Sequence, residues 1–159
     1  MTMHTNRREF LKRAAFASAA LAVPTIVPST VFGQYAPSNR IHLGLVGMGL
    51  MMGGHRGHMS GRPDTQVLAV CDVVQQKREQ AKAAVERAYA DQRASGTYKG
   101  CDAYNEFERI TERKDIDAVM VVTPDHWHTP ISVMAMRSGK DAYAQKPTTL
   151  TIREGRIMS

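Results

Sequence analysis

The sequence predicts an α/β fold: a doubly wound parallel sheet of about five strands with helices on both faces. After residue 40, short apolar segments alternate with longer amphipathic segments. The first apolar segment is followed at once by Gly47-Met48-Gly49, and the second ends at Asp72. Since strands that alternate with helices are joined by right-handed crossovers, we expect the helices to cover both faces of a parallel sheet.

The predicted strands are short apolar runs that suit burial on both faces of a parallel sheet. They comprise residues 41–46, 66–71, a weaker run at 98–101, 116–122 and 141–144. A helical pattern separates most of these runs from the next, which favours the strand order 3-2-1-4-5.

The predicted helices lie between these strands. The clearest pattern covers residues 74–94, where apolar side chains share one stripe and charges lie elsewhere. A helix over 104–113 turns Phe107 and Ile110 inward. A helix over 130–138 begins with proline in its first turn.

Residues 151–154 have the capping-box pattern that begins a further helix. The chain ends about two turns later, at Ser159, without a glycine stop or a following strand. We therefore expect a fragment or a truncated reading frame that lacks a sixth strand. The alternative is a complete small domain with a frayed end.

Composition makes two function classes poor candidates. Four of the 21 Lys/Arg and one of the 15 Asp/Glu lie in residues 1–33, which leaves seventeen basic against fourteen acidic residues in the remainder. The net charge of +6 is thus half due to the leader, and no basic run remains that would indicate nucleic-acid binding. Cys71 and Cys101 match no metal or redox spacing, and Cys71 closes an apolar strand, where a buried thiol is usual.

The first 33 residues have the pattern of an export signal, followed by a linker at 34–40. Thr5-Asn6-Arg7-Arg8-Glu9-Phe10-Leu11-Lys12 resembles the twin-arginine consensus, and residues 14–27 form a weakly apolar run that is too short to span a bilayer. We expect export to the periplasm by the twin-arginine translocase, which carries folded proteins and would allow a cofactor to travel with its domain. An ordinary secretory signal or an uncleaved anchor is the alternative.

The turn after the first strand predicts a dinucleotide site. Gly47 and Gly49 give a tight turn and a bare backbone, so that a pyrophosphate can approach a helix N-terminus. The third glycine of the fingerprint is replaced by Met52. Asp72 lies 25 residues after Gly47, where a carboxylate can accept bonds from ribose hydroxyls and repel a 2′-phosphate, which favours NAD over NADP. The alternatives are a plain glycine turn and an aspartate that caps the next helix.

Two further segments follow strands that the predicted order places on the same edge of the sheet. Thr123-Pro124-Asp125-His126-Trp127-His128 leaves the fourth strand at the topological switch point, where its rings can stack on a ligand or donate to sugar hydroxyls. A metal site would need further ligands that the sequence does not place, and solvated histidines beside a helix cap are the alternative. Gln145-Lys146-Pro147 follows the fifth strand, where a lysine can transfer a proton or orient a hydroxyl.

These segments together resemble the glucose-fructose oxidoreductase / inositol dehydrogenase / MocA family, especially its exported bacterial members. The resemblance runs from the leader through Ser159 and is strongest at 116–128 and 138–147. It implies a Rossmann-type NAD(P)-binding domain over 41–159 and a second domain, an open antiparallel sheet with the substrate contacts, which this sequence does not contain. It implies a catalytic role for Lys146, substrate-side roles for His126 and Trp127, and no metal. The cofactor-binding residues that it implies are Gly47, Met48, Gly49, Asp72, Thr123, Pro124, His128 and Gln145.

Two departures from the family pattern accompany the resemblance. The segment at 145–147 reads Glu-Lys-Pro in the family, so Gln145 keeps hydrogen-bonding capacity but loses a charge near the cofactor ribose. Met52 stands where a glycine is usual.

The implied reaction is hydride transfer between NAD and a hydroxyl-bearing carbon of a sugar, cyclitol or related polyol, in a full-length parent that we expect to be a homo-oligomer. Two alternatives stay open: an NAD-dependent glycosidase of the same family, and a truncated nucleotide-binding module without turnover.

Overall fold

A computed structural model describes residues 39–159 of the chain. The predicted export signal and nearly all of the predicted linker lie outside the described residues.

The described residues form one sheet of five parallel strands, as predicted. The strand order is β3-β2-β1-β4-β5, which confirms the expected topology. The strands are β1 (Ile41–Val46), β2 (Thr65–Cys71), β3 (Asp102–Tyr104), β4 (Ala118–Val121) and β5 (Asp141–Ala144). The central strands are apolar along most of their length because helices cover both of their faces.

Six helices and one 3₁₀ turn connect and flank these strands. The helices are α1 (Leu50–Gly61), α2 (Gln75–Ala88), α3 (Ala90–Ala94), α4 (Glu108–Thr111), α5 (His128–Arg137) and α6 (Ile152–Met158), and the 3₁₀ turn is Asp125–Trp127. One core lies between the sheet and helices α1 and α2, and a second core lies between the sheet and helices α4 and α5.

The predicted third strand is wrong by several residues: β3 lies at Asp102–Tyr104, and residues 98–101 belong to the preceding loop. Tyr98 and Cys101 are buried nevertheless, because they pack into the core beneath α2. The Tyr98 hydroxyl donates to the Val67 carbonyl oxygen at 2.9 Å, and its ring lies 4.7 Å from that of Tyr89. Their apolar character therefore reflects loop packing and not strand pairing.

Other helix boundaries also differ from the prediction. The long helix at 74–94 is interrupted at Tyr89, whose backbone leaves helical geometry while its hydroxyl accepts the Val67 N–H at 3.1 Å. The helix predicted at 104–113 shortens to α4 because residue 104 ends β3. Helix α5 begins two residues before its predicted start. The capping box of α6 is confirmed by reciprocal bonds between Thr151 and Glu154.

Lys140 ties the start of β5 to the chain that precedes β4. Gly139, with a φ of +77°, ends α5 and turns the chain so that the Lys140 side chain is buried. The Lys140 ammonium donates to the carbonyl oxygens of Arg113 and Ile116. Lys140 lies in the segment at 138–147 that resembles the family. Its role in this structure is to hold the start of β5 against the chain before β4, at the amino edge of the sheet.

Gly44 in β1 allows the closest approach of α4 to the sheet. A Cβ on Gly44 would overlap Cγ2 of Ile110, which is fully buried and cannot move aside. We expect Gly44→Ala to lower the free energy of unfolding by about 1–3 kcal/mol. Gly57→Ala on α1, where a Cβ meets nothing within 4 Å, should raise it by about 0.5–1 kcal/mol. Urea denaturation of both variants checks this, and equal stabilities would contradict it.

Candidate functional site

A crevice opens at the carboxyl edge of the sheet, where β1 and β4 lie side by side. After β1 the chain crosses to the α1 face, and after β4 it crosses to the α5 face, so the two loops diverge. The resulting crevice has a volume of about 440 Å³ and is lined by the loops after β1, β2, β3 and β4. Of the predicted site residues, those that line it are Gly47, Gly49, Asp72, Thr123, Pro124, His126 and Trp127.

The glycine turn is shaped by contact with the loop after β4. Gly47 has a φ of +88°, and a Cβ there would lie 2.5 Å from the Val122 carbonyl oxygen. Its N–H donates to the Cys71 carbonyl oxygen at 2.9 Å. A Cβ on Gly49, by contrast, would meet nothing within 4 Å. The protein itself therefore requires a glycine at 47, whereas at 49 the glycine leaves the crevice open.

The methionines of the turn explain how the chain departs from the three-glycine pattern. Met48 and Met52 are both buried in the core beneath α1 and α2, and Met52 is fully buried. A core side chain thus fills the position where the fingerprint has its third glycine. The Met48 side chain lies in that core and away from the crevice, and its backbone N–H donates to Asp72.

Asp72 binds the glycine turn to the start of α2. Its Oδ2 accepts the Met48 N–H at 2.7 Å, and its Oδ1 accepts the Val74 N–H at 2.8 Å. The second bond lies just before α2: Val74 is the N-cap residue of that helix, which has no side-chain cap, so Asp72 is not the helix cap of the alternative interpretation. A carboxylate offers about four lone-pair sites, so each oxygen can still accept a further bond from a ligand in the crevice.

Two observations fit a dinucleotide phosphate and ribose in the crevice. Helix α1 begins at the crevice with no side chain capping its N-terminus and no acidic residue in its first turn, which leaves backbone N–H groups available to an anion. The Thr123 hydroxyl is buried beside the turn and has no hydrogen-bond partner among the described residues. A ligand hydroxyl or phosphate oxygen in the crevice would satisfy that group.

Aromatic side chains form one wall of the crevice. Trp127 lies on the 3₁₀ turn, with ring centroids 6.0 Å from Phe107 and 6.1 Å from His126. Phe107 also lines the crevice, although the sequence pattern predicted it on the inward face of a helix. Lys77 and Asn105 line the crevice as well and were not among the predicted site residues. The loop after β3 could not be assigned to this edge while the third strand was placed four residues too early.

Cys71 also borders the crevice but has no reactive character. Burial raises the pKa of its thiol to about 12, so it stays protonated at neutral pH. Cys101 is likewise a free, buried thiol with a pKa of about 12. Within residues 39–159, no three His, Cys, Asp or Glu side chains come together as metal ligands.

His128 does not line the crevice. It occupies the first turn of α5, fully buried, with Nδ1 at 2.6 Å from the Pro147 carbonyl oxygen and Nε2 at 2.8 Å from that of Thr123. Both polar atoms of its ring are therefore engaged by the protein backbone.

Gln145 and Lys146 lie at the same carboxyl edge but beyond the crevice lining. The Gln145 N–H continues the pairing with β4, and its side-chain nitrogen lies 3.2 Å from Nε2 of His55 on α1. Its Oε1 accepts the Lys146 N–H at 2.8 Å. The Lys146 side chain is exposed.

A doubly wound sheet with a glycine turn and an open helix end at its switch point defines a dinucleotide-binding domain. The model of the oxidoreductase family with an NAD-binding Rossmann fold, GFO_IDH_MocA, matches residues 41–159. The chain belongs to this family.

Individual proteins of similar sequence or fold can be named. The chain is 31% identical over 153 residues to a glycosyl hydrolase family 109 protein from Solibacter usitatus, covering 94% of this chain and 34% of that protein. It superposes with a TM-score of 0.63 and 22% identity on scyllo-inositol dehydrogenase from Lactobacillus casei with bound NAD(H) and scyllo-inositol, over 75% of this chain and 32% of that one. A 3-ketoreductase from Actinomadura kijaniata in complex with NADP gives a TM-score of 0.62 and 22% identity, over 75% and 34% of the two chains.

The similarity to the solved structures shows that the fold is shared. The chain spans about one third of the length of the curated relatives it matches.

The two bonds of Asp72 predict a stability effect that does not depend on any ligand. Asp72→Asn replaces one acceptor oxygen with an amide donor, so one backbone N–H loses its partner, and we expect a loss of about 1–3 kcal/mol in the free energy of unfolding. Asp141→Asn, at an exposed carboxylate, should change it by less than about 0.5 kcal/mol. Chemical denaturation without cofactor measures both variants. An unchanged free energy of unfolding in Asp72→Asn would show that these two bonds do not contribute to stability.

Proposed function

We propose that this chain is the cofactor-binding part of an oxidoreductase that transfers hydride between NAD and a hydroxyl-bearing carbon of a sugar, cyclitol or related polyol. The observation that carries the proposal is the crevice at the junction of β1 and β4, where Gly47, Asp72 and Thr123 face one another. Membership of the oxidoreductase family supports it, as do the ligands named for the inositol dehydrogenase of similar fold.

Different residues along the crevice bind different parts of the cofactor. Gly49 and the first N–H groups of α1 receive the pyrophosphate, because the turn leaves that space empty. Asp72 accepts the adenosine ribose hydroxyls on its remaining lone pairs and disfavours a 2′-phosphate, so NAD is preferred over NADP. Thr123 donates its free hydroxyl to the cofactor.

Lys146 supplies the proton chemistry. NAD, held by the turn at Gly49, Asp72 and Thr123, would supply the hydride acceptor for the reaction. Lys146, exposed at the end of β5, takes or holds the proton of the adjacent substrate hydroxyl, and its side chain is free of competing ion pairs among the described residues.

A glycosidase is the second candidate, because the curated relatives at 29–31% identity are named as glycosyl hydrolase family 109 proteins. Both candidates use the same crevice and the same initial hydride transfer. Assaying NADH release from free sugars beside chromophore release from aryl glycosides separates them in the enzyme that contains this domain.

We also infer export by the twin-arginine route and a periplasmic location. The support is the Arg7-Arg8 pair within residues 5–12 and the weakly apolar run behind it. A domain of this kind has reason to cross a membrane folded, since its cofactor is made in the cytoplasm. Among residues 39–159, none of the helices combines the length and the apolar character that a membrane crossing needs.

Gly49→Ala tests cofactor binding separately from folding. Because its Cβ would enter the open crevice, we expect NADH affinity to fall by about tenfold or more, with a stability change below about 1 kcal/mol. Fluorescence titration of NADH into the purified chain measures this, with Gly57→Ala as the matched control on the same helix. If Gly49→Ala bound NADH with wild-type affinity, the pyrophosphate would not bind at this position.

Lys146→Ala tests the proton-transfer role. In the enzyme that contains this domain, we expect kcat/KM to fall about 10²- to 10⁴-fold while NADH binding persists. Lys99→Ala, which removes an exposed lysine at the opposite edge, serves as the control for loss of charge. Full activity in Lys146→Ala would assign the proton transfer to another group.

The export proposal has its own test. Replacing Arg7→Lys and Arg8→Lys together should abolish accumulation in the periplasmic fraction, since the twin-arginine pathway reads the paired guanidinium groups. Arg13→Lys, in the same leader but outside the pair, should be exported normally. Normal export of the double variant would indicate a different route.

A further inference from the structure

His128 joins two loops that are separate in sequence. It lies at the start of α5, and its ring fits between the carbonyl oxygen of Thr123, after β4, and that of Pro147, after β5. The two contacts measure 2.8 and 2.6 Å, and the side chain is only 1% exposed. The ring therefore lies between the crevice loop and the segment that carries Lys146.

The two partners of the ring decide its hydrogen-bonding role. A carbonyl oxygen can only accept, so a ring N–H of His128 donates to one of these two oxygens, and the tautomer decides which. The other ring nitrogen packs against the second carbonyl oxygen, so the fully buried ring fills the space between the two loops.

We infer that His128 is a positioning residue whose buried ring, held between the Thr123 and Pro147 carbonyl oxygens, fixes Lys146 at the carboxyl edge of the sheet. The part of this inference that concerns Lys146 rests on the proposed function. His128 then acts through the backbone of the neighbouring loop and does not touch the cofactor.

The His128 ring and its two backbone partners, Thr123 and Pro147, act as a clamp on the two loops. Neighbouring bonds extend this clamp to Lys146. Thr129, the next residue of α5, donates its hydroxyl to the Thr148 carbonyl oxygen at 3.3 Å. On the other side of Lys146, the Gln145 side chain accepts the Lys146 N–H. The backbone is thus held immediately before and after Lys146, while the lysine side chain remains exposed and able to meet a substrate.

Backbone dynamics of the segment that carries Lys146 test the positioning role. His128→Phe keeps a ring of similar size and removes both polar contacts, and Thr129→Val removes only one hydroxyl and serves if the first variant does not fold. We expect the backbone order parameters of Lys146, Thr148 and Thr149 to fall from about 0.85 to below about 0.6 in His128→Phe, and to fall by a smaller amount in Thr129→Val. Those of β1 should stay unchanged, as should all of them in His58→Phe, which replaces an exposed histidine on α1. Unchanged values in the 146–149 segment of either folded variant would overturn the inference.

Kinetics distinguish a clamp from a cofactor ligand. In the enzyme that contains this domain, His128→Phe should lower kcat at least tenfold and change the NADH dissociation constant less than threefold. A large rise in the dissociation constant with an unchanged kcat would make His128 a cofactor ligand and overturn the inference. Because the NMR measurements use the free protein, failure of NAD binding would refute the proposed function without deciding the clamp.

Discussion

Parallel pairing of five strands is the constraint on which the rest of this structure depends. Because every strand runs in the same direction, the loops after β1, β2, β4 and β5 must all emerge at one edge. The order β3-β2-β1-β4-β5 adds a second consequence, since the chain leaves β1 and β4 toward opposite faces and opens a crevice between them. The glycine turn, Asp72, the aromatic wall and Lys146 share an edge for this reason, although 99 positions separate Gly47 from Lys146.

Side chains bonded or packed within the protein give the crevice loops their shape. Asp72 joins the glycine turn to α2, Met52 anchors α1 in the core, and His128 joins the loops after β4 and β5. Lys140 plays the same part at the opposite edge. A buried polar group with backbone partners costs little when all its bonds are made and much when one is missing, so such groups hold a loop in one arrangement. Supporting residues of this kind lie in the same segments as the candidate site residues.

The sequence predicted the sheet order and the edge because both follow from hydrophobic alternation and strand direction. It misplaced β3, because Tyr98 and Cys101 are apolar for reasons of core packing that resemble a strand pattern. Because of that error, Phe107 was not predicted to line the crevice, which it does from the loop after β3. It also could not tell which way a side chain turns within a loop: His126 faces the crevice and His128 the interior, two residues apart. Such directions depend on contacts between distant segments, here with Pro147, which local pattern does not encode.

Binding of a dinucleotide at the carboxyl edge of the sheet can be followed residue by residue by titrating ¹⁵N-labelled protein with NADH. We expect chemical-shift changes at Gly47, Gly49, Asp72 and Thr123, and none at His42 or Asp117 on the amino edge. Shifts confined to the amino edge, or no shifts at saturating NADH, would contradict this expectation.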